Sequence, residues 1–335
     1  MTRSASALLR ALSGCARMAC LLLALGTPVQ GHACDLCAIY TATEQRESRT
    51  GIRVGVAEQF TSSNTLQQSG EKVDNPAGQR LNSSITQFLV GYNFTPRIGL
   101  QLNLPLITRA FRRVEGMDVV NGDESGIGDL SLIVNGEAYR DVTEDSVIRL
   151  SLLGGLKLPS GNSRRLKEEL AGSHQGDHEM PGMNAVPSAV HGHDLALGSG
   201  STDGVLGAQL FWSRQRMFVT SAVQYLLRTE GDFNYEYAND LMWSGGPGVF
   251  ALLDHSYSLG VQAVVSGESK GKDDLAGTRQ NDTALTALFV GPSVLFTWGM
   301  TAGAELAVDV PFQQNNSALQ LVRDYRLRGG FTWRF

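Results

Sequence analysis

Over most of the chain, apolar and polar residues trade places at every position. Leu100, Leu102, Leu104 and Leu106 share one parity, with Gln101 and Asn103 between them. Leu130, Leu132 and Val134 alternate with Asp129, Ser131 and Asn135, and Leu150, Leu152, Leu156 and Leu158 with Ser151, Gly155 and Lys157. Tyr257, Leu259, Val261, Ala263 and Val265 oppose Ser258, Gly260, Gln262 and Ser266, and Ala304, Leu306, Val308 and Val310 oppose Glu305 and Asp309. A helix would not hold charged and apolar residues on strict odd and even positions, whereas a strand with one apolar face does. The pattern predicts about twelve strands, with ten to fourteen admissible, at 51–60, 84–94, 98–108, 126–139, 145–158, 203–213, 216–227, 241–252, 257–267, 282–297, 300–310 and 322–335.

A soluble β-sandwich also alternates, so the connections decide. Short links at 95–97, 140–144, 214–215, 253–256 and 298–299 take turns with long ones at 61–83, 109–125, 159–202, 228–240, 268–281 and 311–321. Outer-membrane barrels have short periplasmic turns and long outer loops. An all-β, closed, antiparallel transmembrane barrel over 51–335 follows, with both termini periplasmic and 159–202 as its longest outer loop. In the last strand Tyr325, Leu327, Phe331, Trp333 and Phe335 fall on one face and Arg326, Arg328, Thr332 and Arg334 on the other. Such an aromatic-rich strand ending in Phe resembles the signal that bacterial barrels present to the outer-membrane assembly machinery.

Composition sharpens this reading. The chain has 335 residues, 38 of them Gly and only 18% charged, with a formal net charge of −5. That balance argues against a basic nucleic-acid-binding face. Arg3, Arg10 and Arg17 accompany the apolar segment 18–26, and Gly31-His32-Ala33 offers small residues for cleavage after Ala33. This marks 1–33 as a secretory signal peptide. Its removal takes the net charge from −5 to −8 and leaves a periplasmic segment, 34–50, ahead of the barrel.

Several motifs resemble the outer-membrane family named for the meta-pathway of phenol degradation. These are Ser125-Gly126-Ile127-Gly128-Asp129-Leu130, the run Gly155 to Asn162 (GLKLPSGN), the run Leu195 to Gly204 (LALGSGSTDG), Val223-Gln224-Tyr225, Tyr235-Glu236-Tyr237, and Asn103-Leu104-Pro105. The resemblance covers roughly 84–335 and implies a barrel whose relatives are taken to be transporters or channels.

Two clusters carry possible chemistry. Cys34 and Cys37 form a CxxC pair at the start of the mature chain, open to readings as a disulfide, a redox pair or half a metal site; Ala38 follows where haem attachment would want His. Cys34 is also a possible lipidation site. His174, His178, Met180, Met183, His191 and His193 lie within 20 residues of the longest loop, among Asp177, Glu179 and Asp194. Imidazole with thioether suits copper, and imidazole with carboxylate suits zinc or nickel.

No His falls in a predicted strand, so a wall-mounted hydrolase triad lacks a base, and no nucleotide-cradling motif occurs. Function then resides in the lumen. The alternation points Arg53, Gln101, Asn103, Asp129, Glu137, Arg149, Lys157, Gln209, Gln224, Gln262, Glu305, Asp309, Arg326, Arg328 and Arg334 inward. The mixed charges predict a passive channel or transporter for a small solute, monomeric in outer-membrane lipid and needing no cofactor. A second reading is a non-conducting barrel that binds copper or zinc, or docks a redox partner through the His/Met loop or the Cys pair.

Overall fold

A computed structural model describes residues 50–173 and 187–335. Residues 1–49, with the expected signal peptide, Cys34 and Cys37, lie outside the described residues, as do His174, His178, Met180 and Met183. The described chain runs through β1 (Gly51–Ser63), β2 (Thr65–Gln68), β3 (Glu71–Lys72), β4 (Arg80–Asn93), β5 (Ile98–Glu115), β6 (Asp118–Ile127), β7 (Leu130–Val142) and β8 (Ser146–Leu158). It continues through β9 (Asp203–Arg214), β10 (Met217–Leu227), β11 (Tyr235–Glu236), β12 (Asp240–Leu253), β13 (Tyr257–Lys270), β14 (Asp274–Leu275) and β15 (Thr278–Arg279). β16 (Leu285–Trp298), β17 (Ala302–Asn316), β18 (Leu319–Val322) and β19 (Tyr325–Arg334) complete it.

Twelve of these strands close a barrel in the order β1-β4-β5-β7-β8-β9-β10-β12-β13-β16-β17-β19. Every neighbouring pair is antiparallel, and β1 meets β19 from Arg53↔Arg334 to Ser62↔Tyr325. Closure leaves no free edge in the wall, which a strand in lipid requires because no water satisfies its N–H and C=O groups.

Each strand of the wall puts an apolar residue on the outer surface: Val56, Val90, Leu102, Leu132, Leu156, Leu206, Val223, Leu241, Val261, Val294, Leu306 and Leu327 are all exposed, Leu306 by 68%. Tyr92, Phe94, Tyr139, Tyr257, Trp298 and Phe335 ring the outside at the short-turn end, while Tyr225, Trp243, Phe312 and Tyr325 sit on it toward the long-loop end. An apolar band between two aromatic girdles is the surface a bilayer selects.

The strands run further toward the loop end than the alternation predicts. Beyond residue 108, β5 continues to Glu115 and forms a hairpin with β6 in which Thr108 faces Ser125 and Arg112 faces Asn121. Outside the apolar band, backbone pairing persists while both faces are free to be polar, so the period-two signal fades before the strand does. The predicted strand 126–139 is broken between β6 and β7 at Gly128 and Asp129. The predicted 322–335 begins at Tyr325, because residues 319–322 pair with β2 in a separate small sheet and Asp324 accepts hydrogen bonds from Asn64 and Thr65.

Candidate functional site

The described arms of the longest loop, 159–173 and 187–202, fold back against the inner wall. The loop's start forms a helix, Lys167–Ser173, with acidic residues in the first turn, and its return forms a helical turn, Gly192–Leu195. Leu197 packs on Ile85 and Ile107, and Val190 and Leu195 pack on Phe111, all three wall residues belonging to the buried faces of β4 and β5. Arg109, 2% exposed, donates from the same face of β5 to the carbonyl oxygens of Asp194 and, at 3.1 Å, Ala196. Above this contact Leu166, Ala196, Tyr235, Tyr237 and Leu275 form a small apolar core shared by three loops. Together they make a cap at the long-loop end.

The cap is tied to the wall by a buried charge network. The Lys157 ammonium donates to Asp129 Oδ2 at 2.6 Å and lies 3.1 Å from Asp203, which also pairs with Arg228 at 2.7 Å. Asp129 further accepts from Ser199 N–H (2.8 Å), Ser199 Oγ (2.7 Å) and Gly161 N–H (3.0 Å). A Cβ on Gly198 would stand 2.6 Å from the backbone of Gly161, so only glycine permits the two loop arms to touch here. The three glycine-rich motifs singled out in the sequence therefore meet at one knot, where both arms of the loop leave the wall.

Below the cap lies a cavity of about 230 Å³ lined by Gln59, Gln87, Gln209, Gln224, Gln262, Glu268, Glu305, Arg326 and Arg328, among others. Glu268 pairs with Arg326 at 2.9 Å and Arg323 at 3.1 Å, and Arg328 pairs with Asp309 at 2.8 Å. A second pocket of about 60 Å³ opens near the short-turn end among Arg53, Asn93, Glu137, Arg149 and Gln209. There Arg149 pairs with Glu137 at 3.0 Å, and Arg53 donates to Gln101, which donates to Asn103 at 2.6 Å. Phe211, Phe218, Phe250 and Leu295 form an apolar cluster inside the barrel, Phe211 lining this smaller pocket and Leu295 the larger cavity.

Of the residues predicted to face inward, the structure groups Gln209, Gln224, Gln262, Glu305, Arg326 and Arg328 at the larger cavity, with Asp309 bonded to Arg328. It places Arg53, Glu137 and Arg149 at the smaller pocket, and Asp129 with Lys157 in the knot rather than in open space. Arg334 is half-buried opposite Arg53 at the turn end. Sequence reading passed over Arg109, Glu268 and Arg323, and took in Asp203 only as part of the Leu195–Gly204 motif. Carrying the parity of Gln101, Asn103 and Ile107 one step past the predicted strand end would have found Arg109; Glu268 lies one residue past the end assigned to its strand.

Two of the six residues proposed as metal ligands, His191 and His193, are described, and they are neighbours with rings stacked at 5.5 Å. His193 is buried, and its Nδ1 stands 2.9 Å from Glu169 Oε1, which also accepts the His193 N–H. Burial alone would push the imidazole toward neutrality, but the Asp194 and Glu169 carboxylates override it and raise its pKa to about 10. Burial likewise works against the Glu169 carboxylate, yet His193 holds its pKa down to about 2.

No family model matches the chain, and no curated protein matches it. Among solved structures it is similar to an outer membrane channel from Pseudomonas putida F1, with 16% identity, 88% of this chain and 100% of that chain covered, and a TM-score of 0.58. A match to the beta domain of the Bordetella autotransporter BrkA has 9% identity, covers 86% of this chain and all (100%) of that chain, and has a TM-score of 0.42. The first likeness is one of fold: a closed, antiparallel, twelve-stranded barrel of the outer-membrane type.

Proposed function

We propose that the protein is an outer-membrane channel for a small polar solute, closed at its outer mouth by the infolded segments 159–173 and 187–202. The carrying observation is the amide-rich cavity of about 230 Å³ inside a wall whose outer face is apolar on all twelve strands. Gln59, Gln87, Gln209, Gln224 and Gln262 line the cavity with uncharged amides, Glu268 and Asp309 are paired with arginines, and Glu58 accepts from the Ser84 and Thr86 hydroxyls. The short turns and both ends of the barrel face the periplasm, and the cap faces outward. A monomer assembled into outer-membrane lipid by the assembly machinery would pass its solute down the solute's own gradient. The fold likeness to a channel, and the motifs similar to the phenol meta-pathway family, support this reading.

The cap favours one second reading, a barrel that does not conduct and serves as a scaffold. Single-channel recording of the folded protein in a planar bilayer separates the two. Discrete, mostly closed steps are expected from a capped channel. Complete silence from protein that migrates as a folded barrel would refute conduction and leave the scaffold.

A further inference from the structure

His191 and His193 stand where three outer-loop segments meet, and the channel reading gives them nothing to do. His193 Nε2 lies 3.5 Å from Asp194 Oδ1, and His191 Nδ1 lies 3.7 Å from Asp282 Oδ2 and 4.0 Å from Asp194 Oδ2. One ligand atom each from His191, His193 and Asp194 can be chosen so that all lie within 4.8 Å of one another. We propose that His191, His193, Asp194 and Asp282 form a zinc-type divalent metal site that clasps loop 159–202 to the loop preceding β16.

Geometry supports this. Tetrahedral zinc with bonds of about 2.0–2.1 Å spaces its ligand atoms roughly 3.3 Å apart. The three contacts at 3.5, 3.7 and 4.0 Å need to close by less than 1 Å and the widest spacing among His191, His193 and Asp194 by up to about 1.5 Å, and His191, Asp194 and Asp282 are all partly exposed. His193 is already fixed. Glu169 takes its Nδ1 and its backbone N–H together, which aims Nε2 at Asp194, the arrangement in which a metal-bound imidazole is held by a carboxylate behind it. Charge agrees as well, since three carboxylates, Glu169, Asp194 and Asp282, surround two imidazoles. Imidazole with carboxylate is a donor set for zinc rather than for calcium or magnesium.

The site does not depend on whether the barrel conducts, so its test is a binding measurement. The full barrel, folded in detergent and stripped with a chelator, is titrated with Zn²⁺ against a chromophoric competitor, and with Co²⁺ followed by its visible absorption. One equivalent of Zn²⁺ and a Co²⁺ spectrum of tetrahedral intensity are expected. His191→Ala and Asp282→Asn change partly exposed groups and leave the Glu169–His193 pair intact, so the barrel and cap should still fold. Each is expected to weaken binding at least 10-fold, the scale on which even an outer-shell partner acts. The His174→Ala/His178→Ala double variant should bind as the parent does. Absence of saturable binding by the stripped parent overturns the site. So does unchanged affinity in both His191→Ala and Asp282→Asn, or loss confined to the His174→Ala/His178→Ala variant.

Discussion

Asp129 shows how much of the capped structure rests on single side chains. Its two oxygens collect an ammonium, a hydroxyl and two backbone N–H groups from three separate segments. Truncation in Asp129→Ala would leave the N–H groups of Gly161 and Ser199 buried without that acceptor and remove one of the carboxylates beside Lys157. Because Lys157 keeps Asp203 at 3.1 Å, the cost is expected toward the lower end of the range of about 3–5 kcal/mol for a buried pair broken outright. Asp129→Asn keeps an acceptor oxygen and the shape but loses the charge, so its cost is expected near the lower scale of about 1–3 kcal/mol. Chemical unfolding of the two variants beside the parent tests the ordering. Equal stability of Asp129→Ala and parent would mean that the knot does not hold the loop arms.

At the scale of elements, the wall was legible in the sequence and the cap was not. The wall repeats one instruction, apolar out and polar in, so that Leu100 to Leu106 or Ala304 to Val310 reveal their faces by parity alone. All twelve strands have a counterpart in the structure, with ends displaced where the apolar band stops. The cap has no such repeat. Leu166, Leu195 and Leu197 are each isolated among polar and small residues, and nothing in their spacing announces that they pack on Tyr235, Phe111 and Ile107. The glycine-rich motifs were visible as turn and strand-end chemistry, but their meeting at Asp129 depends on contacts between segments as far apart as residues 129 and 199. Arg109 is the element-scale link, holding the returning loop through two carbonyls. Arg109→Met keeps the bulk and removes the donors. Trypsin is expected to cut after Arg164, Arg165 or Lys167 faster in this variant than in the parent, with the barrel itself intact. Equal cleavage rates would show that the apolar contacts alone seat the cap.

For the whole molecule, the decisive feature is that the interior is polar yet nearly balanced. Around the larger cavity Arg323, Arg326 and Arg328 are answered by Glu268, Asp309 and Glu305, the first two acids lying within 3.1 Å of an arginine, and Glu58, held by the Ser84 and Thr86 hydroxyls, adds one further negative charge. Paired charges in a confined space project little net field, so an ion entering the lumen meets neither a strong attraction nor a strong barrier of one sign. A barrel opened to conduction is therefore expected to discriminate poorly between K⁺ and Cl⁻, with a reversal potential close to zero across a KCl gradient. Glu268 is the lever, because one carboxylate serves both Arg323 and Arg326. Glu268→Gln preserves size and hydrogen bonding but releases positive charge toward the cavity. The reversal potential should then move to the side of anion selectivity, and the shift should shrink as salt rises and screening shortens to about 3 Å at 1 M. A parent channel already strongly selective, or a Glu268→Gln variant with an unmoved reversal potential, would place the conducting path away from this cavity and leave the amide-rich chamber without a role in permeation.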